Sequence, residues 1–239
     1  MSISYPRRRL IRFVLRMLAK LAFFLLGKLT IEGRENIPKS GPIIVVANHF
    51  HFADPVAMLV ATERQVEFVG GFRFPNAPAI VKFIPRLWGY FPVFRGAYSR
   101  KGLEAARNVL DQNGVLGIFP EGGAWAQVLR PARPGAAFLS VETKALIVPI
   151  GLDGFTNLFK QRRPHLTIRI GKPFGPFEVS SKGKERRLEL DQIGTEIMRR
   201  IAELVPDERH GIYSSDQNLK QQAEKIAAFP FESDEMRGM

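Results

Sequence analysis

Two side chains in one short segment, His49 and Asp54, could together activate a hydroxyl group. Residues 48–54 read Asn-His-Phe-His-Phe-Ala-Asp, which places an imidazole and a carboxylate within one loop. A carboxylate that accepts a hydrogen bond from one ring nitrogen of a histidine fixes its tautomer and makes the other nitrogen a better base. The pair is therefore the minimum apparatus for activating a hydroxyl group.

Other interpretations of the same residues remain open at this point. Asp54 precedes Pro55, and an Asp-Pro pair is a common helix start in which the Asp side chain caps the helix. One carboxylate could cap the helix and orient the imidazole at once. His49 could also be a structural histidine, so the motif needs its structural context.

The elements around the pair predict where it lies. The apolar run 42–47 is rich in β-branched residues, as in the buried strand of a parallel sheet. Pro55 and the apolar residues after it predict a helix. Polar residues at the carboxyl end of such a strand lie where open α/β sheets bind their ligands.

The rest of the chain alternates between strand and helix patterns. Strands are predicted at 65–70, 115–119, 146–150 and 166–170, and helices at 101–112, 136–141 and 184–204. This alternation favours an α/β fold with a mixed, largely parallel central sheet flanked by helices. We predict a domain over residues 31–205 and a loosely held C-terminal tail over 206–239.

The composition excludes several classes of mechanism. The 239-residue chain is long enough for a sizeable core and contains no cysteine, which rules out disulfides, thiolate metal sites and a cysteine nucleophile. It also lacks the Gly-x-Ser-x-Gly pattern of serine hydrolases. A mechanism through a covalent intermediate therefore has no obvious cysteine or serine nucleophile, and the composition fits a reducing compartment.

Residues 1–30 form a basic, apolar arm with seven Arg or Lys residues and no acidic residue, within a net charge of +12. A helix that spans the bilayer is not favoured, because Arg12, Arg16 and Lys20 interrupt the apolar stretch and each would cost about 2.5–3.5 kcal/mol at mid-bilayer. Their spacing of four places them on one stripe of a helix. We predict an amphipathic helix at the cytoplasmic face of the membrane, with its basic stripe toward anionic headgroups.

Three further clusters could contribute to a site. Glu121, Gly122 and Gly123 follow a predicted strand, as His49 does, although such a sequence also suits an ordinary turn. Arg95 follows an apolar stretch and could bind a phosphate or form a surface ion pair. Arg130 and Arg133 lie in a second basic loop.

Together these clusters resemble the glycerolipid acyltransferases of the lysophosphatidate (1-acylglycerol-3-phosphate) type. Asn48-His49 with Asp54 matches the His-x4-Asp signature, and the segments around Arg95, 119–122 and 148–150 follow in the family's order over about residues 30–175. The resemblance implies acyl transfer from coenzyme A or acyl carrier protein to a lipid hydroxyl, with no other cofactor and no metal. It also implies that His49 is the general base and Asp54 its orienting partner. Substrate contacts are assigned to Asn48, Arg95, Glu121, Gly122 and Gly123, and Arg133 is added as a candidate from the second basic loop.

One position departs from the family pattern. The third segment continues Gly123-Ala124 where the family has Thr-Arg, so the arginine associated with acceptor phosphate is absent. Arg130 or Arg133 could replace it, or the acceptor could differ from lysophosphatidate. Two other functions stay open. One is a metal-dependent hydrolase built on His49 and His51 with additional ligands, and the other is a membrane-binding protein without catalytic activity.

Overall fold

The computed structural model describes residues 4–70, 84–89, 91–92, 100–124 and 126–227. Its helices are α1 (Arg9–Leu26), α2 (Asp54–Ala61), α3 (Ile84–Trp88), α4 (Arg100–Asp111), α5 (Gly135–Thr143), α6 (Gly183–Ala202) and α7 (Gln217–Ala227). Its strands are β1 (Lys28–Glu32), β2 (Ile43–Ala47), β3 (Val66–Gly70), β4 (Phe91–Pro92), β5 (Val115–Ile118), β6 (Leu146–Asp153) and β7 (His165–Ile170).

The strands form one sheet in the order β1-β7-β6-β2-β5-β3-β4. All neighbouring pairs are parallel except β6 with β7, which are antiparallel. The prediction of a mixed, largely parallel sheet is confirmed. β1 was not predicted, and it crosses the proposed boundary between the arm and the domain at residue 30.

β2 lies at the centre of the sheet and is buried along its whole length. Its alternate side chains enter two separate hydrophobic layers, as the period of two in a strand requires. Ile43 and Val45 pack in the layer that includes α1 and α2, whereas Ile44 and Val46 pack in the layer that includes α4, α5 and α6. The apolar run that predicted this strand is therefore apolar because both of its faces are covered.

α1 is part of the first layer, and two of its arginines, Arg12 and Arg16, contact the protein. Phe23 is buried, and Arg12 forms hydrogen bonds of 2.6 and 2.8 Å to the two carboxylate oxygens of Glu67 in β3. Arg16 donates to the backbone carbonyls of Glu63 and Arg64 at 2.7 and 2.8 Å. The prediction that this basic stripe faces lipid headgroups is therefore wrong for Arg12 and Arg16, whereas Lys20 is exposed.

The side of α1 that faces outward is apolar instead. Its exposed side chains are those of Leu10, Ile11, Phe13, Val14, Met17, Leu18, Leu21, Phe24, Leu25 and Leu26. The helices in the described part of the chain include none that is long and apolar enough to cross a bilayer.

The segment after Pro206 is not a loose tail in its described part. The backbone carbonyl of Arg209 accepts a hydrogen bond of 2.8 Å from the Leu129 amide, and the Ile212 amide donates to the Leu129 carbonyl at 3.3 Å. Later in the segment, the side chain of Ala223 in α7 is buried as well. These residues support the turn that carries Arg130.

Candidate active site

His49 and Asp54 are in direct contact at the carboxyl end of β2. The Nδ1 atom of His49 lies 3.0 Å from Oδ2 of Asp54, and the Asp54 side chain is buried. The same oxygen accepts hydrogen bonds from the backbone amides of Phe50 and His51 at 2.7 and 2.6 Å. With a proton on Nδ1 donated to this carboxylate, Nε2 of His49 is left as an acceptor.

The contacts of Asp54 also decide between its two predicted roles. Its hydrogen bonds come from Phe50 and His51, which precede it in the chain. The N-cap of α2 is Ala53, which makes no side-chain cap hydrogen bond. The interpretation of Asp54 as the helix cap is therefore wrong, and its carboxylate is directed back onto the loop that carries His49.

Asn48 holds this loop to the neighbouring strand. Its Nδ2 donates to the carbonyl of Leu152 in β6 at 2.9 Å, and its Oδ1 accepts from the Leu152 amide at 2.7 Å. The side chain is buried. Both ends of the amide are committed to β6, so we assign Asn48 a positioning role in place of the predicted substrate contact.

Glu121 connects the His49 loop to the turn after β5. Its Oε1 accepts a hydrogen bond of 2.8 Å from the His49 amide, and its Oε2 accepts from the Arg130 amide at 3.2 Å and from Arg130 Nε at 3.0 Å. Both side chains are buried. Burial raises the pKa of Glu121 to about 7, while the guanidinium of Arg130 is the largest influence in the opposite direction.

The two basic candidates in the loop after β5 have different surroundings. Arg130 is buried, and besides Glu121 its Nη2 donates to the carbonyl of Gly123. Arg133 is exposed and lies against Gly122, where a Cβ atom would approach Arg133 Nε to 3.3 Å. Arg133 is therefore the better candidate for an acceptor phosphate, and Arg130, whose Nε and Nη2 are engaged with Glu121 and Gly123, is the weaker one.

Glycine is required at position 122 by its backbone. Gly122 has φ +82°, and its amide donates to the Phe119 carbonyl at 3.0 Å, which closes the turn. This amide is thus committed within the turn and not directed at a ligand. The ring of Phe119 stacks on His49 with centroids 4.2 Å apart, so the turn also fixes one face of the imidazole.

Not every predicted residue can be placed. Arg95 and Trp125 lie outside the described residues. The fourth predicted segment, 148–150, is in the buried part of β6 and leads into Leu152, the partner of Asn48. No group of three or more His, Cys, Asp or Glu residues that could hold a metal occurs in the part of the chain that the structure describes.

Sequence reasoning missed the structural role of Arg130. The segment Arg130-Pro131-Ala132-Arg133-Pro134 contains two arginines in similar sequence surroundings. A signal was available in Glu121 nine residues earlier, because a buried carboxylate needs a cation or several donors. The sequence does not show which arginine supplies it.

Comparison with known proteins agrees with the arrangement of these motifs. The family model described as Acyltransferase matches residues 28–153, which is more than half of the 239-residue chain. This range contains β2, the His49 loop, the turn with Glu121 and all of β6.

Three relatives are each named 1-acyl-sn-glycerol-3-phosphate acyltransferase. The protein from Borreliella burgdorferi is 26% identical over 157 residues, covering 63% of this chain and 62% of the relative. That from Chlamydomonas reinhardtii is 27% identical over 197 residues, covering 76% and 58%. That from Bacillus subtilis is 22% identical over 173 residues, covering 71% and 85%. The chain thus spans less than two thirds of the length of the first two relatives.

A solved structure shares the fold. The crystal structure of the 1-acyl-sn-glycerophosphate acyltransferase PlsC from Thermotoga maritima aligns with a TM-score of 0.56 and 24% identity, covering 81% of this chain and 82% of PlsC. At this identity the likeness concerns the fold. The family model, which spans the His-x4-Asp loop and the Glu121 turn together, shows that the chain belongs to the acyltransferase family.

Proposed function

We propose that the protein transfers a fatty acyl group from a thioester, on coenzyme A or acyl carrier protein, to a hydroxyl of a lysophospholipid or a related glycerol-phosphate lipid. The observation that carries the proposal is the contact of 3.0 Å between His49 Nδ1 and Asp54 Oδ2 in a loop held by Asn48 and Glu121. Family membership and the names of the relatives support the same reaction class. Phospholipid synthesis or remodelling is the matching cellular role.

In the proposed reaction Nε2 of His49 takes the proton of the acceptor hydroxyl. The oxygen forms a bond to the thioester carbonyl carbon, the carbon–sulfur bond breaks, and the thiolate leaves and recovers a proton from His49. Asp54 holds the imidazole in one tautomer and stabilises the imidazolium between these steps. No covalent acyl-enzyme is needed, which agrees with the absence of cysteine.

The acceptor would bind beside Gly122. Arg133 is exposed there and could pair with a phosphate, and Arg95 remains a second candidate from the sequence. Glu121 would position the His49 loop without contacting the substrate, since its carboxylate accepts hydrogen bonds from the His49 amide and from Arg130.

The protein would meet its substrates at a membrane. α1 presents a continuous set of exposed apolar side chains, among them Leu10, Phe13 and Phe24. Exposed apolar patches of this kind mark interaction sites, and the acceptor is itself a lipid. We place the protein at the cytoplasmic face of the membrane, held by the apolar side of α1, with the anionic lipids contacted by other basic residues.

The test is acyl transfer by the purified protein, with an acyl thioester and a panel of lysolipids. We expect His49→Ala to lose about 10²–10⁴-fold in rate, since a general base contributes that much. His165→Ala is the matched control, because His165 is exposed at the start of β7. The proposal fails if the wild type consumes no thioester above the level of His49→Ala with any lysolipid.

A further inference from the structure

Residues 159–163, which we name the aromatic-basic loop, form an exposed segment of unusual composition. They read Phe-Lys-Gln-Arg-Arg, and all five are exposed. Phe159 is 61% exposed, and no acidic residue occurs within the segment. A single exposed phenylalanine is common, so the meaning of this one depends on its neighbours.

On one side the aromatic-basic loop contacts the loop that carries His49. The ring of Phe159 stacks parallel to that of Phe52, with centroids 5.9 Å apart and planes 11° apart. It also lies 6.4 Å from the ring of His51. Phe52 is two residues before Asp54, so this aromatic group borders the proposed catalytic pair.

On its other side the aromatic-basic loop contacts the end of α1. The Nη2 atom of Arg163 donates to the Phe24 carbonyl at 3.2 Å, and the guanidinium lies 6.0 Å from the centre of the Phe24 ring. Phe24 is 67% exposed, and Leu21 and Leu25 beside it are exposed as well. The exposed apolar end of α1 and the aromatic-basic loop are therefore neighbours on the surface, joined by the contact between Phe24 and Arg163.

The sheet places these parts at one edge. Lys28, directly after α1, pairs with His165, directly after the loop. Because β6 and β7 are antiparallel, with Asp153 opposite Thr167, this is the edge at which β6 ends. β2 runs parallel to β6 and also ends there, with His49 two residues after Ala47.

We propose that the aromatic-basic loop is a second membrane-binding element, in which Phe159 enters the interfacial region and Lys160 and Arg162 pair with anionic headgroups. Aromatic rings favour this region, and basic residues close to an anionic surface each contribute to binding. A free phosphate or a soluble acidic protein would account for the cations but not for the exposed ring of Phe159 or for the exposed apolar side chains at the neighbouring end of α1. The inference rests on the proposed function, since it places the His49 loop next to the bilayer that holds the acceptor.

The test uses the full-length protein and co-sedimentation with phosphatidylcholine vesicles, with or without phosphatidylglycerol. Phe159→Ser should weaken binding to both kinds of vesicle by about tenfold, because the transfer of one phenylalanine is lost. Lys160→Glu with Arg162→Glu should remove about tenfold or more of the binding that depends on phosphatidylglycerol.

Matched controls lie on the opposite layer of the protein. Leu188 on α6 is 62% exposed, and Lys184 and Arg187 on the same helix are exposed cations. Leu188→Ser, and Lys184→Glu with Arg187→Glu, should bind vesicles as the wild type does. Thermal unfolding of all variants checks that each is folded.

Three outcomes would overturn the inference. The loop variants could bind vesicles as well as their controls. Phe159→Ser could instead dissolve a dimer seen by sedimentation, or the charge variants could lose binding to acyl carrier protein but not to vesicles. Because no acyl donor is present in the binding assay, loop-dependent binding without acyl transfer would count against the proposed reaction alone.

Discussion

Two buried arginine–glutamate pairs in the described part of the chain differ in what the carboxylate does. Both carboxylate oxygens of Glu67 accept hydrogen bonds from the guanidinium groups of Arg12 and Arg7. Glu121 gives one oxygen to Arg130 and the other to the backbone amide of His49. The first pair fastens α1 to the sheet, whereas the second connects a buried charge to the candidate catalytic loop.

The surroundings of the two arginines extend this difference. Arg12 also donates to the Trp88 carbonyl at 2.9 Å and lies 5.0 Å from the centre of the Trp88 ring, so its contacts are structural throughout. Arg130 donates to Glu121 and to Gly123, both in the turn beside His49. A similar pair of residues thus stabilises the fold in one place and positions a reactive group in the other.

The largest effect is expected when the arginine of each pair is replaced, and the two variants should then differ in catalytic activity. Arg12→Met and Arg130→Met each leave a buried carboxylate without its main partner, which should lower the free energy of unfolding by about 3–5 kcal/mol at pH 8. Urea unfolding measures this loss. For the fraction that remains folded, kcat with a detergent-dispersed acceptor should be unchanged in Arg12→Met and should fall at least about tenfold in Arg130→Met.

An equal kcat in Arg12→Met and Arg130→Met would contradict the difference in role between the two pairs. In that case the contact between Glu121 and the His49 amide would have no part in placing the imidazole. His49→Ala in the same assay gives the lower limit of activity against which both are compared.

An intermediate effect concerns the pH dependence of stability. The folded pKa of Glu121 is raised to about 7 from an ordinary 4.5, so the unfolded chain loses this proton first as the pH rises. The contribution of Glu121 to stability is therefore complete below pH 4.5 and is lost as the pH rises through 7. Without Arg130 the pKa of folded Glu121 rises further. Each additional unit of this pKa lowers the stability at high pH by about a further 1.4 kcal/mol.

Urea unfolding between pH 5 and 9 tests this expectation. The wild type and Arg130→Met should differ least at pH 5, where Glu121 is protonated in both, and most at pH 8 to 9. Adding Glu121→Gln to Arg130→Met removes the titrating group and should flatten the difference. If the free energies of unfolding of the wild type and Arg130→Met depended on pH in the same way, the pKa of Glu121 would not depend on Arg130.

The comparison also shows which contacts could be predicted from the sequence. His49 and Asp54 are five residues apart in one loop, and β2 is apolar on both faces, so local patterns predict them. Arg12 meets Glu67 across 55 residues, and Asn48 meets Leu152 across 104. The spacing of four in α1 predicts a basic stripe, but the buried carboxylate of Glu67 determines which side of the helix faces the protein.

Arg130 and Arg133 show the same limit at the site. The two arginines are close to each other in the sequence, so neither their distance from Glu121 along the chain nor the residues around them shows which one pairs with it. Arg130 is buried next to Leu129, whose backbone amide is hydrogen-bonded to Arg209, about 80 residues later in the chain. Only the folded chain assigns one arginine to the carboxylate and leaves the other at the surface.

The smallest effect on stability is expected for Arg133, and it tests this division of roles. Arg133→Ala should change the free energy of unfolding by less than about 0.5 kcal/mol, since the side chain is exposed. A charge-assisted hydrogen bond to phosphate contributes about 1.5–3 kcal/mol, so KM for a phosphate-bearing acceptor should rise by tenfold or more. KM for the acyl thioester should stay the same, and Arg133→Lys should lie between the two proteins because a lysine retains the charge but not the planar geometry. An equal KM in wild type and Arg133→Ala would remove Arg133 from the acceptor site and leave Arg95 as the candidate, while the contrast between the two buried pairs would stand.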